Sequence, residues 1–141
     1  MKVYKFGGAS INSIDRIKNI GQIIRSEAGE KRLIVISAMG KTTNALESVI
    51  TAFFDGRKDD AIKLFEQVKD NHLNTLKYLT VINWQAAENQ LKDFFTEVEW
   101  LLHDKPVRSY DYYYDQVVCC SELISTDMMS HYLAESGIPN K

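Results

Sequence analysis

Two glycine stretches carry the residues best suited to chemistry on an anion. "VYKFGGAS", residues 3–10, sets Lys5 on the approach to Gly7-Gly8; "SAMGKTTN", residues 37–44, contains Gly40-Lys41-Thr42. The second has the ending of a phosphate-binding P-loop, Gly-x-x-x-x-Gly-Lys-Ser/Thr. Five residues before Gly40, however, stands Val35 rather than glycine. Val35 also lies inside the apolar run "RLIVIS", whose extended backbone cannot cradle phosphate, so the P-loop reading fails. In "KFGG", two glycines let backbone N–H groups approach an anion with no Cβ in the way. A helix beginning near residue 13 adds its positive end. A lysine beside such a nest supplies a point charge for a transferring phosphoryl group. The same residues also fit a solvated lysine and an ordinary βα turn.

"SAMGKTTN" offers Ser37, Thr42, Thr43 and Asn44, hydroxyl and amide groups near a helix start. Such groups can hold a small polar substrate, especially a carboxylate, or simply cap the next helix. Further on, Val118, Glu122, Ser125, Met129 and Leu133 fall on one helical stripe. Glu122 thus puts a carboxylate on an apolar or small-residue face, where an unpaired charge is costly. A substrate ammonium would pair it; so would an internal salt bridge or a water-exposed turn. His72, His103 and His131 show no ligand spacing. His72 sits on an apolar stripe and reads as a satisfied core residue. Tyr110 and Tyr112–Tyr114 could stack on a ligand, but packing beside the last helix is the plainer reading.

The elements that must position these groups follow from hydrophobic patterning. "KVYKF" reads as a strand stopped by Gly7-Gly8. Ile14, Ile17, Ile20 or Gly21, and Ile24 share a helical face, with Ser13 as N-cap and Gly29 as stop. "RLIVIS", apolar on both faces, suits a buried strand of a parallel sheet. Strand, helix and strand make a right-handed βαβ unit whose two loops open on one sheet edge. In open α/β sheets that edge binds ligands. Three helical stripes follow within residues 44–103, the first with Asn44 and Glu47 as a capping box. Pro106 blocks continuation, and a last helix covers about residues 112–136, ending at Gly137.

The chain of 141 residues, 45% apolar and 26% charged, has enough apolar content for one small domain with a core. A net charge of −2 gives no reason to expect nucleic-acid or membrane-surface binding. No run approaches the roughly 18 apolar residues of a membrane span. The two cysteines, Cys119 and Cys120, are adjacent and read as reduced thiols in a cytoplasmic protein. Two strands make a very small parallel sheet, so the sequence reads as the first part of a larger α/β domain.

Three stretches together resemble the start of an aspartokinase, in the amino acid kinase superfamily: "KFGGAS", "VISAMGKTTNAL" about thirty residues later, and "SELIST" after a helical insertion. "YLAESGI" is similar to the helix end that precedes the family's next strand. The resemblance implies a three-layer αβα sandwich of the amino acid kinase type, present here as its N-terminal portion: 1–43 as βαβ with two ligand loops, 44–105 as a helical segment, and 106–141 carrying the substrate-acid helix. It implies transfer of the ATP γ-phosphoryl group, with Mg²⁺, to the β-carboxylate of L-aspartate, the first step toward lysine, threonine and methionine. Lys5 matches the family's phosphate-contacting, catalytic lysine. Gly7 and Gly8, with Ser10 nearby, match the nest beside the ATP phosphates. Ser37 and Thr43 match polar contacts to aspartate, and Glu122 matches the acid that receives its ammonium. A homo-oligomer is expected.

Three positions depart from the family pattern. Ala9 replaces a common threonine, Lys41 stands where a small or neutral residue is common, and Ser121 replaces the glycine before the glutamate. In the family the nucleotide-base contacts, the metal-organising aspartate, a second lysine and the inhibitor-binding ACT domains all come later. The resemblance therefore implies no metal ligand in these residues, no activity for this piece alone, and uncovered strand edges that promote self-association. Competing readings are a kinase for glutamate or acetylglutamate, and a non-catalytic helical interaction module.

Overall fold

A computed structural model describes residues 1–27, 29 and 31–141. The elements in chain order are β1 (Lys2–Phe6), a single 3-10 turn (Gly8–Ser10), α1 (Ile14–Ser26), β2 (Arg32–Ile36), α2 (Thr42–Phe54), α3 (Lys58–Leu79), α4 (Trp84–His103), α5 (Tyr110–Val118) and α6 (Cys120–Glu135). β1 and β2 pair in parallel, with Lys5 beside Val35 and Phe6 beside Ile36. The chain is thus mixed α/β, helix-rich with a small parallel sheet, as the patterning implies. In the stretch predicted as the first helix, Ala28 and Glu30 lie outside the described residues.

α1 follows its sequence closely. Ser13 accepts the Arg16 N–H at 3.4 Å, Asp15 sits in the first turn, and Ile17, Ile20, Gly21 and Ile24 are buried. Burial on the sheet is one-sided. Because alternate residues face opposite ways, Tyr4, Phe6, Ile34 and Ile36 share the inner face, against which α6 packs. Val3, Lys5, Leu33 and Val35 share the other, where Leu33 is 51% and Val3 60% exposed. The expectation of a strand buried on both faces is therefore corrected: helices cover only one face of this two-stranded sheet.

The helical segment is a packed stack, α2 on α3 and α3 on α4. Phe65 of α3 and Phe95 of α4 meet edge to face at 6.0 Å, each 2% exposed. Truncating either ring to alanine costs roughly 3–5 kcal/mol. The capping box does not form. α2 begins two residues earlier, at Thr42, so Asn44 is already helical and its carbonyl accepts the Ser48 hydroxyl.

The last predicted helix is two. α5 ends at Val118 and α6 starts at Cys120, with Cys119 bridging them at φ −59 and ψ −28. α6 ends at Glu135, and Gly137, the expected stop, follows the C-cap Ser136. The φ of +76 at Gly137 lets Ile138 N–H reach the Leu133 carbonyl at 2.9 Å. The tyrosines pack, but against α2: Tyr113 meets Phe53 at 5.3 Å and Tyr110 meets Phe54 at 5.6 Å.

Candidate functional site

The two glycine loops leave β1 and β2 at the same end of the sheet and touch. Ser37 N–H donates to the Phe6 carbonyl at 3.0 Å, extending the strand pairing by one step. Beyond it, a Cβ on Gly8 would stand 2.9 Å from the Ala38 carbonyl oxygen and 3.2 Å from that of Gly40. Those oxygens belong to the backbone and cannot swing aside, so glycine at position 8 is required by loop-on-loop contact. Gly7 differs. Nothing lies within 4 Å of its Cβ position, and its φ of −76 is ordinary. The space above Gly7 is open, which suits an approaching ligand rather than a neighbouring loop.

Lys5 is exposed on the outer face of the sheet and holds no ion pair among the described residues. Ser10 is exposed at the end of the 3-10 turn, its N–H donating to the Gly7 carbonyl at 2.8 Å. Ala9, in place of the expected threonine, gives its carbonyl to the Arg16 guanidinium. Ser37 and Thr43 are half-buried at the two ends of the second loop.

That second loop is a fixed element. Ala38 and Met39 are buried, at 5% and 6% exposure. Met39 N–H donates to the Ser125 hydroxyl oxygen of α6 at 2.9 Å. The Met39 carbonyl accepts from the Thr42 hydroxyl at 2.6 Å and the Thr42 N–H at 3.1 Å. Gly40 turns the chain at φ +56, a conformation that disfavours other residues.

Glu122 sits in the first turn of α6, where a carboxylate complements the helix dipole. It is exposed, and off the buried stripe of Cys120, Ser121, Ile124, Ser125, Met128, Met129 and Leu133. Of the alternatives its stripe left open, Glu122 takes the water-exposed turn of the helix, where a buried partner is unnecessary. Ser121 fits without strain. It is helical and buried, and its hydroxyl donates to the Val118 carbonyl at 2.7 Å, with no positive φ at any described non-glycine residue.

His72 is a satisfied core residue, as its stripe implies. Its Nδ1 donates to the Val68 carbonyl at 2.7 Å, and its Nε2 lies 3.3 Å from the Thr42 hydroxyl oxygen. Burial pulls its imidazole below the ordinary value, against the opposing pull of the Val68 bond. Cys120 is buried and its thiol is pushed up to about 12, chiefly by burial, whereas Cys119 is exposed. Among the described residues no group of three or more His, Cys, Asp or Glu is placed to hold a metal ion. No described helix is long and apolar enough to cross a membrane.

Sequence patterning missed a cleft. A cavity of about 430 Å³ opens between the second loop and α3, and Asn12, Gly40, Lys41, Asn71, His72 and Thr75 are among the residues lining it. Lys41, the residue that mimicked a P-loop, stands exposed at the start of α2 on its rim. Asn71 and Thr75, one turn apart beside the buried stripe of α3, were the signal available in the sequence. Thr42 reads in the sequence as a substrate or cap group and Ser125 as a stripe residue; their shared contact with Met39 is tertiary and has no local pattern.

Comparison with known proteins places this fold and sequence among relatives. A family model described as the amino acid kinase family matches residues 1–141. The chain is 32% identical over 141 residues to aspartokinase 2, chloroplastic, of Arabidopsis thaliana, covering 96% of the chain and 25% of that protein. It is 29% identical over 140 residues to bifunctional aspartokinase/homoserine dehydrogenase 1, chloroplastic, of Zea mays, covering 97% of the chain and 15% of that protein. The fold matches E. coli aspartokinase III solved with lysine and aspartate, with a TM-score of 0.83, 20% identity, and coverage of 99% of this chain and 30% of that one. The same enzyme solved with aspartate and ADP gives a TM-score of 0.77 at 21% identity, covering 97% of this chain and 29% of that one. The chain therefore spans a quarter or less of the length of these two sequence relatives. With a family model matched along its whole length and the fold of an aspartokinase, the chain belongs to the amino acid kinase family.

Proposed function

We propose that these residues form the amino-acid-binding and phosphate-contacting part of an aspartate kinase, which phosphorylates the β-carboxylate of L-aspartate to 4-phospho-L-aspartate at the entry to lysine, threonine and methionine synthesis. One observation carries this reading. The fold joins all three motif stretches at one end of a parallel βαβ unit, through the Gly8–Ala38 contact and the Met39–Ser125 hydrogen bond. Solved relatives of the same fold bind aspartate, and one also binds ADP.

In this reading the Lys5 ammonium faces the transferring phosphoryl group and offsets charge that spreads over its oxygens. Gly7, with open space above it, lets backbone N–H groups approach the phosphates, and Ser10 adds a hydroxyl. Ser37 and Thr43, at the two ends of a rigid loop, hold the substrate carboxylates. The exposed Glu122 carboxylate receives the substrate ammonium. Nucleotide phosphates ordinarily arrive with Mg²⁺; among the described residues no group of three or more His, Cys, Asp or Glu is placed to hold it.

Glu122 separates this reading from its rival within the family. An N-acetylated amino acid has no ammonium to pair with that carboxylate, so acetylglutamate is disfavoured. The experiment is a substrate comparison with the intact protein. Aspartate should support ATP-dependent acyl-phosphate formation, with glutamate and N-acetylglutamate far slower. Equal or better turnover of N-acetylglutamate would reject the aspartate reading. The isolated 141 residues are expected to turn over no ATP.

A further inference from the structure

We propose that Ser125 and Thr42 are positioning residues. Together they hold the Met39 peptide, and so set where Ser37 and Thr43 stand relative to Glu122; the assignment rests on the aspartate reading above. Three constraints converge on Met39. Its N–H donates to Ser125 Oγ at 2.9 Å, its carbonyl accepts from Thr42 Oγ1 at 2.6 Å, and its side chain is buried beside Ile11, Ile17, Met128 and Met129.

The Ser125 oxygen has one available orientation. Its hydroxyl hydrogen donates to the Ser121 carbonyl at 2.9 Å within α6, which leaves its lone pairs directed at Met39. Alanine there leaves a buried N–H without an acceptor, because Ser125 is 5% exposed and water is excluded. Thr42 has a second close neighbour, His72 Nε2 at 3.3 Å from its hydroxyl oxygen.

The consequence is geometric. Ser125 and Glu122 are three residues apart on α6, neighbours less than one turn apart, with Ser125 on the buried face and Glu122 exposed beside it. The bond to Met39 therefore ties the loop to the same turn that carries the acid. Ser37 precedes Met39 by two residues and Thr43 follows it by four. With the bond removed, the loop can drift from α6 while each keeps its own fold. Two groups that grip opposite ends of one small substrate are sensitive to such drift.

The test uses the intact protein with Ser125→Ala, Ser125→Thr and Thr42→Val. Hydrogen exchange at the Met39 amide reads the clamp, and steady-state kinetics read its effect. Ser125→Ala should speed Met39 exchange and raise KM for aspartate about tenfold, with KM for ATP changed less than about twofold. Ser125→Thr, which restores a hydroxyl, should recover both. A general loss of structure would instead move both KM values and would not be rescued. If Ser125→Ala does not fold, Thr42→Val decides by the same readouts. Unchanged Met39 exchange overturns the proposal, and so does faster exchange with an unchanged KM for aspartate. If the wild-type protein shows no aspartate-dependent turnover, the aspartate reading falls. The clamp is then decided by exchange alone, and Met39 protection that survives Ser125→Ala overturns it.

Discussion

The Cα of Gly8 packs so closely on the second loop that a Cβ there would stand 2.9 Å from the Ala38 carbonyl oxygen. This contact seats the "KFGG" turn against "SAMG" and brings together the loops that follow two strands. Adjacent Gly7 has no such neighbour. The two glycines, indistinguishable in the sequence, answer different needs: Gly8 fits a loop, and Gly7 leaves space for a ligand.

Their substitution by alanine should therefore differ in sign. Gly8→Ala must displace backbone and should destabilise by about 1–3 kcal/mol. Gly7→Ala, at a φ any residue adopts, should be neutral or stabilise by about 0.4–1 kcal/mol through the unfolded state. Urea denaturation of both variants measures this. Equal losses would remove the distinction drawn between them.

Stability should fall with acidification through His72. Its folded-state value lies below the ordinary 6.5 because the ring is buried. At pH above 6.5 the ring is neutral in both states and its contribution is fully present. As pH drops below 6.5 the unfolded chain takes up the proton first, and stability is lost until pH passes the folded-state value. Unfolding free energies between pH 7 and pH 5 should slope more steeply for the wild type than for His72→Gln. Parallel slopes would show that His72 does not titrate in this way.

Glu135 at the end of α6 should prove to be the anchor of the turn that leads into α4. Its carboxylate accepts the N–H groups of Val81, Ile82 and Asn83 at 2.7, 3.1 and 3.1 Å, and Asn83 makes no side-chain cap of its own. Burial pushes this carboxyl up, but the three N–H donors outweigh it and hold it below its ordinary range. Its contribution is present above the ordinary value of 4.5 and lost as pH falls through the lowered one. Glu135→Ala should cost about 1–2 kcal/mol by chemical denaturation at pH 7. Faster amide exchange should be confined to the start of α4; uniform exchange along α4 would argue against a local anchor.

Much of the fold was legible because periodicity records burial. Ile17, Ile20 and Ile24 announced α1, and the Phe65 and Phe95 stripes announced α3 and α4. Val35 within its strand was enough to dismiss the P-loop. What the sequence hid were consequences of contacts distant along the chain. Asn44 and Glu47 have the residue types of a cap, but the Thr42–Met39 bonds start α2 two residues earlier. Glu122 falls on a plausible apolar stripe, yet the face that α6 buries runs through Cys120, Ser121, Ile124, Ser125, Met128 and Met129, and Glu122 lies beside it, exposed. Lys5, Gly7, Gly8, Ser37, Thr43 and Glu122 could be proposed from their motifs. The Met39–Ser125 bond and the cleft beside Lys41 could not, because they join residues from different elements.

The central claim, an aspartate-phosphorylating site in which Lys5 faces the phosphoryl group, is tested most directly by one measurement. Acyl phosphate formed from ATP and aspartate is trapped with hydroxylamine, using the intact protein and its Lys5→Met variant. The wild type should yield aspartyl hydroxamate. The variant, equally folded because Lys5 is exposed and holds no ion pair among the described residues, should yield about 10²–10³-fold less per unit time. Hydroxamate formation by the variant at the wild-type rate, or none by the wild type, would contradict it.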